Sequence, residues 1–112
     1  MKDENNLPPS IWPINSVEKE QKETIINWSI YEATFQDNTK SRHLVGFIED
    51  KFGRATSAIK KWDAKNKVIT TRSGRIYFLD GPTGYDGDAN YVWENWKYTN
   101  QVISAVNVSD EY

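Results

Sequence analysis

Residues 54–80 read RATSAIKKWDAKNKVITTRSGRIYFLD, and this stretch decides the fold. It holds three runs, 57–63, 68–72 and 75–79, rich in Ile, Val, Thr, Tyr, Phe and Trp. Such residues suit a pleated, half-buried surface. Asp63-Ala64-Lys65-Asn66 separates the first two runs. Asp starts turns by bonding backbone groups two residues on, and Asn tolerates a left-handed backbone. Ser73-Gly74 separates the second and third, and glycine reaches positive φ at no steric cost, so a tight two-residue connection is predicted. Counting back from it pairs Arg72 with Arg75, Thr70 with Tyr77 and Val68 with Leu79 on one face. On the other face Thr71 meets Ile76, Ile69 meets Phe78 and Lys67 meets Asp80. Large apolar groups then stand on both faces, which calls for a sheet covered on both sides or curled into a small barrel.

Working outward, 25–36 reads as a first strand. Ile26, Trp28 and Ile30 share one face and Tyr31, Ala33 and Phe35 the other, and the switch near Ile30 predicts a bulge. Residues 43–49 read as a second strand in which Gly46 marks a bend or a close backbone approach. Residues 80–88 are a loop. A helix is predicted from Asp88 or Asn90 to about Tyr98, with Asp88 as its cap and Val92, Trp96 and Ile103 on its apolar stripe. Residues 102–108 alternate and read as a last strand. The fold class expected is α+β, mainly β: a curled, barrel-like antiparallel sheet of five or six strands with one C-terminal helix packed on it. Pro8, Pro9 and Pro13 exclude regular structure early on, so residues 1–24 are expected to be an irregular arm and 25–112 a single β-rich domain.

The chain has 112 residues, the length of one domain, and no cysteine, which removes disulfides, thiolate nucleophiles and cysteine metal sites. No leader-like apolar region opens it, and no apolar run approaches the roughly 18 residues that cross a bilayer. A cytoplasmic location with no membrane association is the resulting expectation. The net charge of −2 is unevenly spread: the middle, 25–79, is basic and the last third, 80–112, acidic.

Each candidate chemistry has a plain structural alternative. Asp86, Asp88 and Asn90 put oxygens at alternate positions as a calcium loop does, but Tyr91 and Lys97 stand where such a loop needs glycine and glutamate. His43 is the sole histidine, too few for a zinc site. As a base it would need Ser41 or Ser57 as nucleophile and an Asp as orienter, yet no nucleophile-elbow pattern is present, and a partly exposed strand histidine is expected. Gly81, Gly84 and Gly87 match no phosphate-binding fingerprint. The sequence therefore implies no catalytic residue, no metal ligand and no cofactor.

Two features point to binding. Arg54, Lys60, Lys61, Lys67, Arg72 and Arg75 lie on or beside the central strands with Trp62 and Tyr77, a pattern that single-stranded nucleic-acid binders use. Five tryptophans strain the capacity of so small a core, so some are expected at a surface, where tryptophan anchors interfaces. Trp12 and Trp93 are the expected exposed anchors, with Tyr85. The leading expectation is a non-enzymatic, small intracellular interaction module that binds a protein partner or itself. Nucleic-acid binding through 54–75 is the alternative, and a small-molecule or hydrolytic site in loop 80–88 the second.

Overall fold

The computed structural model describes residues 22–112. Its elements run β1 (Lys22–Thr34), β2 (Lys40–Ile48), β3 (Gly53–Asp63), β4 (Val68–Thr71), β5 (Ile76–Leu79), α1 (Gly87–Thr99) and β6 (Ser104–Asn107), then a 3-10 turn at Ser109–Glu111. The expected irregular arm lies outside the described residues except for 22–24, which are strand.

The strands β1 to β5 pair in sequence as antiparallel neighbours. The ring is closed by the start of β1, which runs parallel to β5 from Lys22 beside Ile76 to Ile25 beside Leu79. The sheet is thus mixed, with one parallel seam in a wall expected to be wholly antiparallel. The far end of β1 carries β6 as an antiparallel neighbour. Along one edge, β1 therefore pairs with β5 through its first residues and with β6 through its last, while β2 lies along the other edge.

A bulge makes that division possible. Pairing with β2 shifts between Ile26 and Ser29, and Asn27 takes φ +49°. The bulge comes earlier than the expected switch at Ile30, and it turns Ile25, Trp28 and Ile30 into one buried cluster with Leu44, Ile48, Ile69 and Tyr77. Gly46 faces the same place: a Cβ there would lie 2.8 Å from Ile25 Cγ1 and 3.0 Å from the Ile26 carbonyl oxygen. The close approach expected at that glycine is real.

The β4–β5 connection departs from expectation. Thr71 N–H donates to Arg75 O at 3.0 Å and Gly74 N–H to Thr71 O at 2.9 Å, with Gly74 at φ +93°. Arg72-Ser73-Gly74 is a three-residue loop ending on a left-handed glycine, not a two-residue turn. The pairs are accordingly Val68–Phe78, Ile69–Tyr77 and Thr70–Ile76, one residue away from the expected register. A one-residue slip moves side chains to the other face. Ile69, Thr71, Tyr77 and Leu79 are buried together, while Phe78 is 40% exposed. Lys67 does not stand opposite Asp80 but takes φ +58°, and its ammonium lies 5.8 Å from the centre of the Trp62 ring.

The β3–β4 turn forms as the sequence predicts, with Asp63 Oδ1 accepting from Asn66 N–H and Oδ2 from its side-chain amide at 2.9 Å. The helix starts earlier than predicted. Asp86, not Asp88, caps it, its carboxylate accepting from Ala89 N–H at 2.9 Å. Its buried face is Ala89 and Trp93 with Trp96 half-buried, rather than Val92, Trp96 and Ile103; Ile103 lies beyond the helix and is exposed. This face lies on the outer side of the barrel wall, against Ala33, Val45 and Ala55. The helix can sit there because Gly53 has no side chain: a Cβ at that position would be 2.6 Å from Ala89 Cα.

Candidate functional site

Three places gather polar or aromatic groups. The first is inside the barrel at the start of β1. Glu23, Arg54, Arg75 and Tyr77 are all buried. Period two puts Glu23 on the face of Ile25 and Arg54 on that of Thr56, so both enter the interior. Glu23 Oε2 accepts from Arg54 Nη1 at 3.3 Å and lies 3.8 Å from Arg75 Nη1, while its Oε1 accepts from Lys51 Nζ at 3.3 Å. Arg54 Nη1 also donates to Tyr77 Oη at 3.2 Å, and the Arg54 guanidinium carbon lies 5.2 Å from the centre of the Phe52 ring. Burial pushes the Tyr77 phenol above its ordinary range, against the pull of Arg54 and Arg75, so it stays neutral. Among the described residues, Arg54 Nε and Nη2 are buried with no hydrogen-bond partner. Leaving a buried donor unpaired costs about 1–3 kcal/mol, and more for a charged group.

The second place is beneath the helix. His43 is 2% exposed, not partly exposed as expected, because its ring packs 4.3 Å from Trp96 and 5.8 Å from Trp93, centre to centre. Its Nδ1 lies 2.9 Å from the Thr56 carbonyl oxygen, which can only accept, so that nitrogen carries the hydrogen. Nε2 is then the acceptor and the Ser41 hydroxyl donates to it at 2.7 Å. Burial lowers the His43 pKa, which keeps the ring neutral. A hydroxyl, a neutral imidazole and an orienting carbonyl make up most of a nucleophile, base and orienter. Here the two tryptophans cover the ring, and the same three contacts satisfy a buried imidazole. Trp93, an expected surface anchor, is 1% exposed and belongs to this cluster, stacked on Tyr31 and Trp96.

The third is the outer surface at the end of the chain. Tyr98 is 88% exposed, Val106 60% and Ile103 57%. They surround β6, whose one described neighbour is β1. A shallow groove of about 290 Å³ runs between the last turns of α1 and β6, lined by Glu94, Tyr98, Val102, Ile103 and Ala105 among others. Sequence reasoning missed this place. Its signal was available: residues 98–109 contain no charge and no proline.

The remaining predicted residues are scattered. Trp12 lies outside the described residues. Tyr85 is exposed, in the loop before α1. Of the six cations, Arg54 and Arg75 are inside the barrel, while Lys60, Lys61, Lys67 and Arg72 are exposed. Loop 80–88 is tied to the β1 bulge by Trp28 Nε1 donating to Gly81 O at 3.0 Å and by Ser29 Oγ donating to Gly84 O at 2.6 Å. Its Asp86 carboxylate is engaged in capping. Among the described residues no three acidic or histidine side chains are grouped so as to hold a metal ion, and no helix is long and apolar enough to cross a membrane. Comparison of the chain with protein-family models, with curated proteins and with solved structures finds no match.

Proposed function

We propose that this chain is a non-enzymatic interaction module that pairs through the outer edge of β6, and that the strand it takes there is β6 of a second copy. The observation that carries the reading is that edge itself, which has no neighbour among the described residues. Edge strands in stable monomers are blunted with lysine, proline, inward charges or bulges. Residues 98–109 carry none of those charges or prolines, and Ile103 and Val106 stand exposed beside the edge. Val108 N–H donates to Ile30 O at 2.8 Å, so the alternation of an antiparallel ladder turns the N–H and C=O of Ala105 and Asn107 away from β1. A two-fold axis at Val106 would pair Ala105 of each copy with Asn107 of the other and set the two Val106 side chains face to face. Four-residue strands with a few apolar neighbours bury less than a standard interface, so a weak, concentration-dependent dimer is expected.

Sedimentation equilibrium tests this. The wild-type chain should dimerise in the micromolar to millimolar range, and Val106→Lys should be monomeric with unchanged melting temperature. A wild-type chain that stays monomeric at about 1 mM, with Ala105 and Asn107 amide signals independent of concentration, would overturn it.

A second reading keeps support from one observation. Lys61 shares the outer face of the barrel with Thr70 and Ile76, next to the exposed Phe78, and Lys60 and Arg72 are close by. Cations around an exposed ring suit a single-stranded nucleic acid. Salt-sensitive retention on an oligonucleotide column, reduced in Lys61→Ala with Arg72→Ala, is the expected result; no retention at low salt removes this reading.

A further inference from the structure

We propose that the cleft between residues 83–84 and 107–110 is a binding site for a neutral, polyhydroxylated ligand, a saccharide ring. The cleft arises from a break in the sheet. Along one edge of β1, β5 pairs with residues 22–25 and β6 with 31–34, so among the described residues no strand lies beside 26–30 there. Loop and turn residues take up the backbone groups instead. Trp28 O accepts from Gly84 N–H at 2.8 Å and from the Thr83 hydroxyl at 2.6 Å, while the Ser109 hydroxyl oxygen accepts from Ile30 N–H at 2.8 Å. The two segments flank Ser29 and leave between them a cleft of about 390 Å³. That is the size of a small-molecule site.

Its lining selects the ligand. Among the described residues that line it there is no cation and no large apolar side chain, and Asp110 adds a negative charge, so neither an anion nor an apolar molecule is matched. One exposed carboxylate holds a lone cation only weakly in water. The hydrogen bonds point to hydroxyls. The Ser29 and Thr83 protons are committed to Gly84 O and Trp28 O, so toward a ligand both oxygens accept. The buried Ser109 is the converse: its oxygen accepts from Ile30 N–H, and its proton has no acceptor among the described residues. Asn107 Oδ1 accepts from Ser109 N–H at 2.9 Å, which leaves its amide hydrogens to donate. A matching ligand must both donate and accept at neighbouring atoms, as vicinal hydroxyls do. Tyr85, 70% exposed, lines the adjoining hollow that shares Ser29 and Gly84 with the cleft. Its ring offers a π face on which the C–H side of a pyranose stacks.

The test titrates the full chain with methyl glucoside, methyl galactoside and methyl mannoside, which place their hydroxyls differently, and follows backbone and side-chain amide signals by NMR. A fixed protein concentration holds any self-association constant. At least one of the three should give a saturable shift confined to residues 29, 83–85 and 107–110, at millimolar ligand. Asp110→Ala should weaken binding about tenfold through the loss of a charged acceptor, and Tyr85→Ala about fivefold through the loss of the stacking face, with amide signals elsewhere unchanged. Inorganic phosphate should leave the same signals in place. The proposal is overturned if none of the three gives a saturable shift, if the shifts map to other residues, if both variants bind at full strength, or if phosphate alone is bound there.

Discussion

At the scale of single residues, the two buried indoles with opposite hydrogen-bond status give a direct comparison. Trp28 Nε1 donates to Gly81 O, whereas Trp93 Nε1 is buried with no partner among the described residues. Replacing each by Phe removes similar volume but breaks a bond in only one case. Trp28→Phe should therefore cost about 1 kcal/mol more than Trp93→Phe in urea unfolding. His43 gives a pH dependence. Its folded pKa is lowered below the ordinary 6.5 by burial, so between the two values the unfolded chain binds the extra proton. Stability is then full above about pH 6.5 and falls as pH drops through it, by at most about 1.4 kcal/mol per pH unit until the folded pKa is reached. Urea midpoints measured from pH 8 to 5 should show this slope, and His43→Gln should flatten it. None of these three roles was legible in sequence, because whether a nitrogen is paired depends on which distant carbonyl faces it.

At the scale of elements, caps and close contacts decide the outcome. Asp86→Ala should destabilise by about 1 kcal/mol and speed amide exchange at Ala89, with Asp86→Asn close to wild type. Gly53→Ala is the harsher change. Its Cβ meets the backbone of Asp88 and Ala89 rather than a flexible side-chain end, so the helix must move off the barrel. A loss of about 2–3 kcal/mol in chemical denaturation is expected. The sequence showed the strands, both turns and the helix through local chemistry: the turn residues at 63–66 and 73–74 and the alternation in 25–36. It misjudged the register across Gly74 because a two-residue and a three-residue loop share the same glycine. It misjudged the helix cap for a related reason. Asp86 and Asp88 are equally good caps in isolation, and the docking of Ala89 over Gly53 selects one.

At the scale of the whole molecule, ring closure joins the start of β1 to β5 across some fifty residues, from Lys22 and Ile25 to Ile76 and Leu79. Two apolar clusters lie on opposite sides of the shared β1–β2 wall, one inside the barrel and one beneath α1. Cooperative, two-state unfolding is expected, with tryptophan fluorescence and far-ultraviolet circular dichroism giving the same midpoint. Distinct midpoints would mean that the helix cluster melts apart from the barrel.

The amino-acid pattern alone determined that this chain forms a curled, mainly β domain with a helix near its end, because hydrophobic period and turn chemistry act over a few neighbouring residues. Only the tertiary structure decided where the cations and tryptophans stand. Arg54, Arg75 and Trp93 are buried and Lys61 and Tyr98 are not, since burial depends on which surfaces meet once the ring has closed. The same holds for β6, which is terminal in the sheet among the described residues. A strand becomes an edge through the absence of a neighbour, and that is a property of the assembled sheet, not of the residues in the strand.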